Sequence, residues 1–115
     1  MIMIVFELFG KFSLYSDSFG NLGMCNGTCT PWTIFEKNNL YFFKDSSTGF
    51  FLSIDKSLQL VARPFNREIY QAWKINKENS IIINYRTRQV LDSKLLGYIY
   101  PKNREKATFW TMKHI

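Results

Sequence analysis

Apolar residues in this chain come in short runs, most of them β-branched or aromatic, with turn residues between them at intervals of roughly 8 to 12 positions. That spacing reads as an all-β protein. No helical period persists beyond a turn or two. The runs predict strands over Ile4–Phe9, Phe12–Tyr15, Leu22–Met24, Leu40–Phe43, Phe50–Ile54, Leu58–Ala62, Ile81–Tyr85, Gln89–Leu91 and Tyr98–Tyr100, with three more around Trp32, Trp73 and Trp110. Between them, Ser16-Asp17-Ser18, Asn38-Asn39, Asp45 to Gly49, Lys77-Glu78-Asn79 and Pro101-Lys102-Asn103 have the chemistry of turns.

The pattern repeats. Each tryptophan sits in a frame of one residue before it, a spacer after it and then an apolar residue: Pro31-Trp32-Thr33-Ile34, Ala72-Trp73-Lys74-Ile75 and Phe109-Trp110-Thr111-Met112. The tryptophans are 41 and 37 residues apart. A second set of markers, Gly10-Lys11-Phe12, Gly49-Phe50-Phe51 and Arg88-Gln89-Val90, recurs every 39 residues. Fixed-period self-similarity signals a repeat architecture. Units of about 38 residues are too small to hold separate cores, so they must share one. The expectation is one domain over residues 1–115, with repeats near 1–39, 40–79 and 80–115. The three tryptophans are expected in its core.

Four strands in each of three repeats resemble a β-trefoil. The stretch Thr48-Gly49-Phe50-Phe51-Leu52-Ser53-Ile54-Asp55, with Leu58 to Ala62 and Trp73-Lys74-Ile75, is similar to the repeat of fascin-like and ricin-type trefoils. Gln71-Ala72-Trp73 matches the Gln-x-Trp signature of ricin-type lectins, from which Thr30-Pro31-Trp32 and Thr108-Phe109-Trp110 depart. The resemblance implies six strands closed into a barrel and three hairpins capping it. It also implies sugar binding through an Asp, an aromatic platform and an amide. Asp92, Tyr98 or Tyr100, and Asn103 are the closest match, whereas Ser53 stands where the second repeat would carry its Asp.

Charge adds a competing reading. The net charge is +6, and it is uneven: −1 over residues 1–62 and +7 over residues 63–115. Such asymmetry points to a polyanionic partner. Arg63, Arg67, Arg86, Arg88, Lys94, Lys102, Arg104 and Lys106 are expected in loops, with Tyr85, Tyr98 and Tyr100 nearby. Cations neutralise phosphates and aromatics stack on bases. The leading expectation is therefore a non-enzymatic module docking on RNA or a ribonucleoprotein assembly such as a ribosome. A carbohydrate-binding lectin is the alternative, and a protein-interaction trefoil a further one.

Catalysis and cofactors find little in the sequence. His114 is the only histidine, the acidic residues are scattered, and no phosphate loop or nucleophile motif is present. No cofactor is expected, and a zinc site at Cys25 and Cys29 would need two more ligands. A reduced pair of cysteines is the default expectation. Met1 to Phe6 is apolar, lacks a basic flank and runs into Glu7, so no secretory signal is read there. The chain opens on Met without a tag or linker. A compact cytoplasmic protein, held within a larger assembly, is expected on these grounds.

Overall fold

A computed structural model of the chain describes residues 2–8, 12–26, 31–66, 69–76, 81–88, 91 and 111–114. They form ten β-strands and one short 3-10 turn. The strands are β1 (Ile2–Leu8), β2 (Phe12–Ser16), β3 (Leu22–Asn26), β4 (Trp32–Lys37), β5 (Leu40–Asp45), β6 (Phe51–Ile54), β7 (Leu60–Arg63), β8 (Trp73–Asn76), β9 (Ile81–Asn84) and β10 (Thr111–His114). The 3-10 turn covers Ile69–Gln71. The chain is all-β, as the short apolar runs predict. None of the described residues forms a helix long and apolar enough to cross a membrane. The expected strand over 98–100, most of that over 89–91, the turns at 77–79 and 101–103, and Trp110 lie outside the described residues.

Among the described residues every strand pairing is antiparallel. β9, β8, β5, β4, β1 and β10 pair in that order, and the hairpin strands β2 and β6 pair with β1 and β5. β3 completes the hairpin of β2, and β7 that of β6. A closed barrel was expected. Among the described residues the six-strand row remains open, because β9 and β10 do not pair.

Local chemistry sets the turns. Asn38 and Asn39 have φ of 54° and 65°, which makes the two-residue link between Lys37 and Leu40 a type I′ hairpin turn. Asparagine adopts this left-handed region more readily than most residues. The β2–β3 and β6–β7 hairpins turn through matching devices. Asp17 Oδ1 accepts the N–H groups of Phe19 and Asn21, and Asp55 Oδ1 accepts those of Ser57 and Gln59. The Asn21 N–H holds the Asp17 carboxyl below its ordinary pKa of 3.8, with Phe19 helping and desolvation opposing. The fourth residue of each turn has positive φ: Gly20 at 85° and Leu58 at 62°.

The same correspondence reaches the core. Trp32 Nε1 donates to the Leu14 carbonyl at 3.0 Å, and Trp73 Nε1 to the Leu52 carbonyl at 3.0 Å. Trp32 lies opposite Asp45 across the β4–β5 ladder, and Trp73 opposite Asn84 across β8–β9. Both indoles are fully buried, in a cluster with Leu14, Phe43, Leu52, Ile54, Leu60, Ile82 and Leu91. Burying a tryptophan removes roughly 150–250 Å² from water, worth about 4–6 kcal/mol by area. Both described tryptophans thus occupy the core expected for them.

Cys25 is disulfide-bonded and no described cysteine is free, which corrects the expectation of a reduced pair. The two-cysteine spacing alone cannot distinguish a thiol from a bridge. Cys29 lies outside the described residues.

Candidate functional site

The β6–β7 hairpin, the segment that follows it and the 3-10 turn enclose a groove of about 410 Å³. This volume falls within the usual range of small-molecule sites. Gln71 organises its floor. Its Nε2 donates to Ser53 Oγ at 3.1 Å and to the Pro64 carbonyl at 3.0 Å, with a longer contact of 3.4 Å to the Arg63 carbonyl. Its Oε1 accepts the Asn66 N–H at 3.3 Å. Ser53 Oγ in turn donates to the Phe51 carbonyl at 2.7 Å. Gln71 and Ser53 are both buried. Their polar atoms are spent on the protein, so they form the frame on which other side chains are displayed.

Those other side chains come from three segments. Asp55 and Lys56 belong to the hairpin turn, Arg63 ends β7, and Asn66 and Tyr70 follow. One Asp55 oxygen holds the turn together, and the other has no partner among the described residues. The segment carrying Asn66 is pinned by Phe65, whose ring lies 5.1 Å from Phe51 and 6.0 Å from Phe42, centroid to centroid. Tyr70 is anchored through its carbonyl, which accepts from Asn84 Nδ2 at 2.8 Å. The Arg86 guanidinium lies 5.5 Å from the Tyr70 ring centroid. The arrangement offers an aromatic ring, a carboxylate, an amide and two cations around a small concave space. Among the described residues no group of His, Cys, Asp or Glu is arranged to hold a metal.

Three of the eight basic residues expected at a nucleic-acid surface are described. Arg63 is the last residue of a strand rather than part of a loop, and it lines the groove. Arg86 and Arg88 sit in the turn after β9. Arg86 lies over Tyr70, and Arg88 over Tyr85 at 5.4 Å, so each is engaged with a ring of the protein itself. Arg67, Lys94, Lys102, Arg104 and Lys106 lie outside the described residues, as do all four residues of the expected sugar site, Asp92, Tyr98, Tyr100 and Asn103. No sequence motif points to the groove itself, although Gln71-Ala72-Trp73 marks its frame. Tyr70, Asn66 and Asp55 carry no motif that would have singled them out.

No protein-family model matches the sequence, and no curated protein matches it. Solved structures do match in fold. The chain aligns over 100% of its length with the GlcNAcα1-4Gal-releasing endo-β-galactosidase from Clostridium perfringens, at a TM-score of 0.80 and 12% identity. It aligns over 96% of its length with a GH43 β-1,3-galactosidase (TM-score 0.75, 15% identity), and over 96% with a chain of the PSL1a-E64 complex (TM-score 0.75, 10% identity). It spans 33%, 26% and 45% of those chains respectively. None of the three names a nucleic-acid partner, so the RNA reading gains no support from them. Two are glycosidases, which overturns the expectation of a protein apart from enzymes: this all-β fold occurs within the chains of an endo-β-galactosidase and a β-1,3-galactosidase.

Proposed function

We propose that the chain is a β-trefoil glycan-recognition unit of a protein acting on galactose-containing sugars, and that the groove between the β6–β7 hairpin and Tyr70 holds the sugar. The trefoil reading draws support from the matching tryptophan bonds and Asp turns of the first two repeats. The observation that carries the functional reading is the groove itself: a tyrosine beside a carboxylate and an amide, on a floor whose own polar groups are already bonded. A pyranose needs this combination. Its C–H face packs on an aromatic ring, and its hydroxyls require paired donors and acceptors. The wider likeness to two galactosidases supports the sugar class. The disulfide at Cys25 favours an oxidising compartment over the cytoplasm.

Retention on immobilised galactosides tests this reading. The full chain is expected to bind, and Tyr70→Ala to weaken binding about tenfold, the effect of losing one aromatic contact. A chain that ignores every galactoside yet binds RNA in a salt-sensitive manner would return the function to the basic surface.

A further inference from the structure

The charge of the groove goes further than its shape. Lys56 and Arg63 line it against a single carboxylate, Asp55, and among the described residues neither cation forms an ion pair. Unpaired cations at the wall of a concave site attract anions, and low-dielectric walls concentrate their field.

Arg63 is also held in place. One of its terminal nitrogens, Nη1, donates to the Ala62 carbonyl at 2.9 Å. The same nitrogen lies where Gly20, in the neighbouring β2–β3 turn, leaves room: a Cβ on Gly20 would stand 2.6 Å from it and 2.2 Å from the Ala62 oxygen. The turn is fixed there by the Ala62 N–H donating to the Gly20 carbonyl at 2.9 Å. One end of the otherwise exposed guanidinium therefore rests against the neighbouring hairpin turn. Its other donors have no partner among the described residues. A guanidinium held at one nitrogen, with its other N–H groups turned to solvent, is suited to a carboxylate or a sulfate, which it can grip through two parallel bonds.

We propose that the groove selects acidic galactosides, with the anionic group of the glycan on Arg63 and Lys56 adding to the local field. The proposal rests on the glycan reading above and names its ligand class. Lactose, sialyllactose and sulfated lactose, titrated into the full chain by calorimetry, separate the two. One or both acidic sugars should bind about tenfold more tightly than lactose, with the advantage shrinking in high salt. The carboxylate and sulfate arms show which anion fits better. Arg63→Gln should cost the acidic sugars about tenfold more than it costs lactose, so that the advantage disappears, and Lys56→Gln should reduce the advantage in part. An unchanged melting temperature confirms that each variant is folded. Equal affinity for all three sugars, or an acidic preference that survives Arg63→Gln, overturns the proposal while leaving the glycan reading standing. Failure of all three sugars to bind removes both.

Discussion

Leu58 and Gly20 show how one backbone requirement can be met at different energetic cost. Both sit fourth in an Asp-started hairpin turn, and both have positive φ. Glycine accepts this region freely, whereas a side chain there costs about 1–2 kcal/mol. Leu58 is half exposed, so little packing compensates. Leu58→Gly should therefore stabilise the protein, by up to about 1 kcal/mol once the extra freedom of glycine in the unfolded chain is counted. Chemical denaturation would measure it, and a loss of more than a few tenths would mean that the leucine side chain is bound to something. Ser53 carries a different lesson. Read from the sequence, it marked a lost sugar site, because it occupies the place of an aspartate. The structure gives its hydroxyl to Gln71 and Phe51, and the groove survives above it.

At the scale of elements, the strands were legible because alternation and turn chemistry agree. Asn38-Asn39, the Asp17 turn and the turn from Asp45 to Gly49 all fall where their side chains predict, and both described tryptophans are buried. The groove was not legible, because Asp55, Asn66 and Tyr70 belong to three segments that only strand pairing and the Gln71 bonds bring together. Nor was the role of Asp45. It reads as the start of a turn, and it does accept the Ser47 N–H at 2.8 Å and the Ser47 hydroxyl at 2.7 Å. Its other oxygen accepts the Ser16 N–H at 3.0 Å and the Ser16 hydroxyl at 2.5 Å, so that a fully buried carboxylate fastens the end of β2 to the end of β5. Asp45→Ala would strand the two buried donors of Ser16, each worth about 1–3 kcal/mol. A loss of at least 3 kcal/mol is expected in urea unfolding. A change below 1 kcal/mol would show that water replaces the carboxylate.

Over the whole molecule, stability depends on a core to which the described parts of residues 1–39, 40–79 and 80–115 all contribute. Leu14 and Trp32 come from the first segment, Phe43, Leu52 and Trp73 from the second, and Ile82 and Leu91 from the third. Trp73→Ala should cost about 3–5 kcal/mol. That is a large part of the roughly 5–15 kcal/mol that holds a typical domain folded. The loss should appear as one cooperative transition at lower temperature. Separate transitions for the two halves of the chain would contradict a shared core. The indole bonds that anchor this core have a further consequence. Both end on main-chain carbonyls, those of Leu14 and Leu52. A carbonyl is present whatever side chain its residue carries. Apolar side chains of similar volume can therefore replace Leu14 or Leu52, both fully buried, without removing the acceptor. An anchor of this kind depends on where the backbone lies rather than on which side chain it carries, so the fold it holds is compatible with very different sequences: this chain matches the Clostridium perfringens endo-β-galactosidase over 100% of its own length and 33% of that chain at 12% identity.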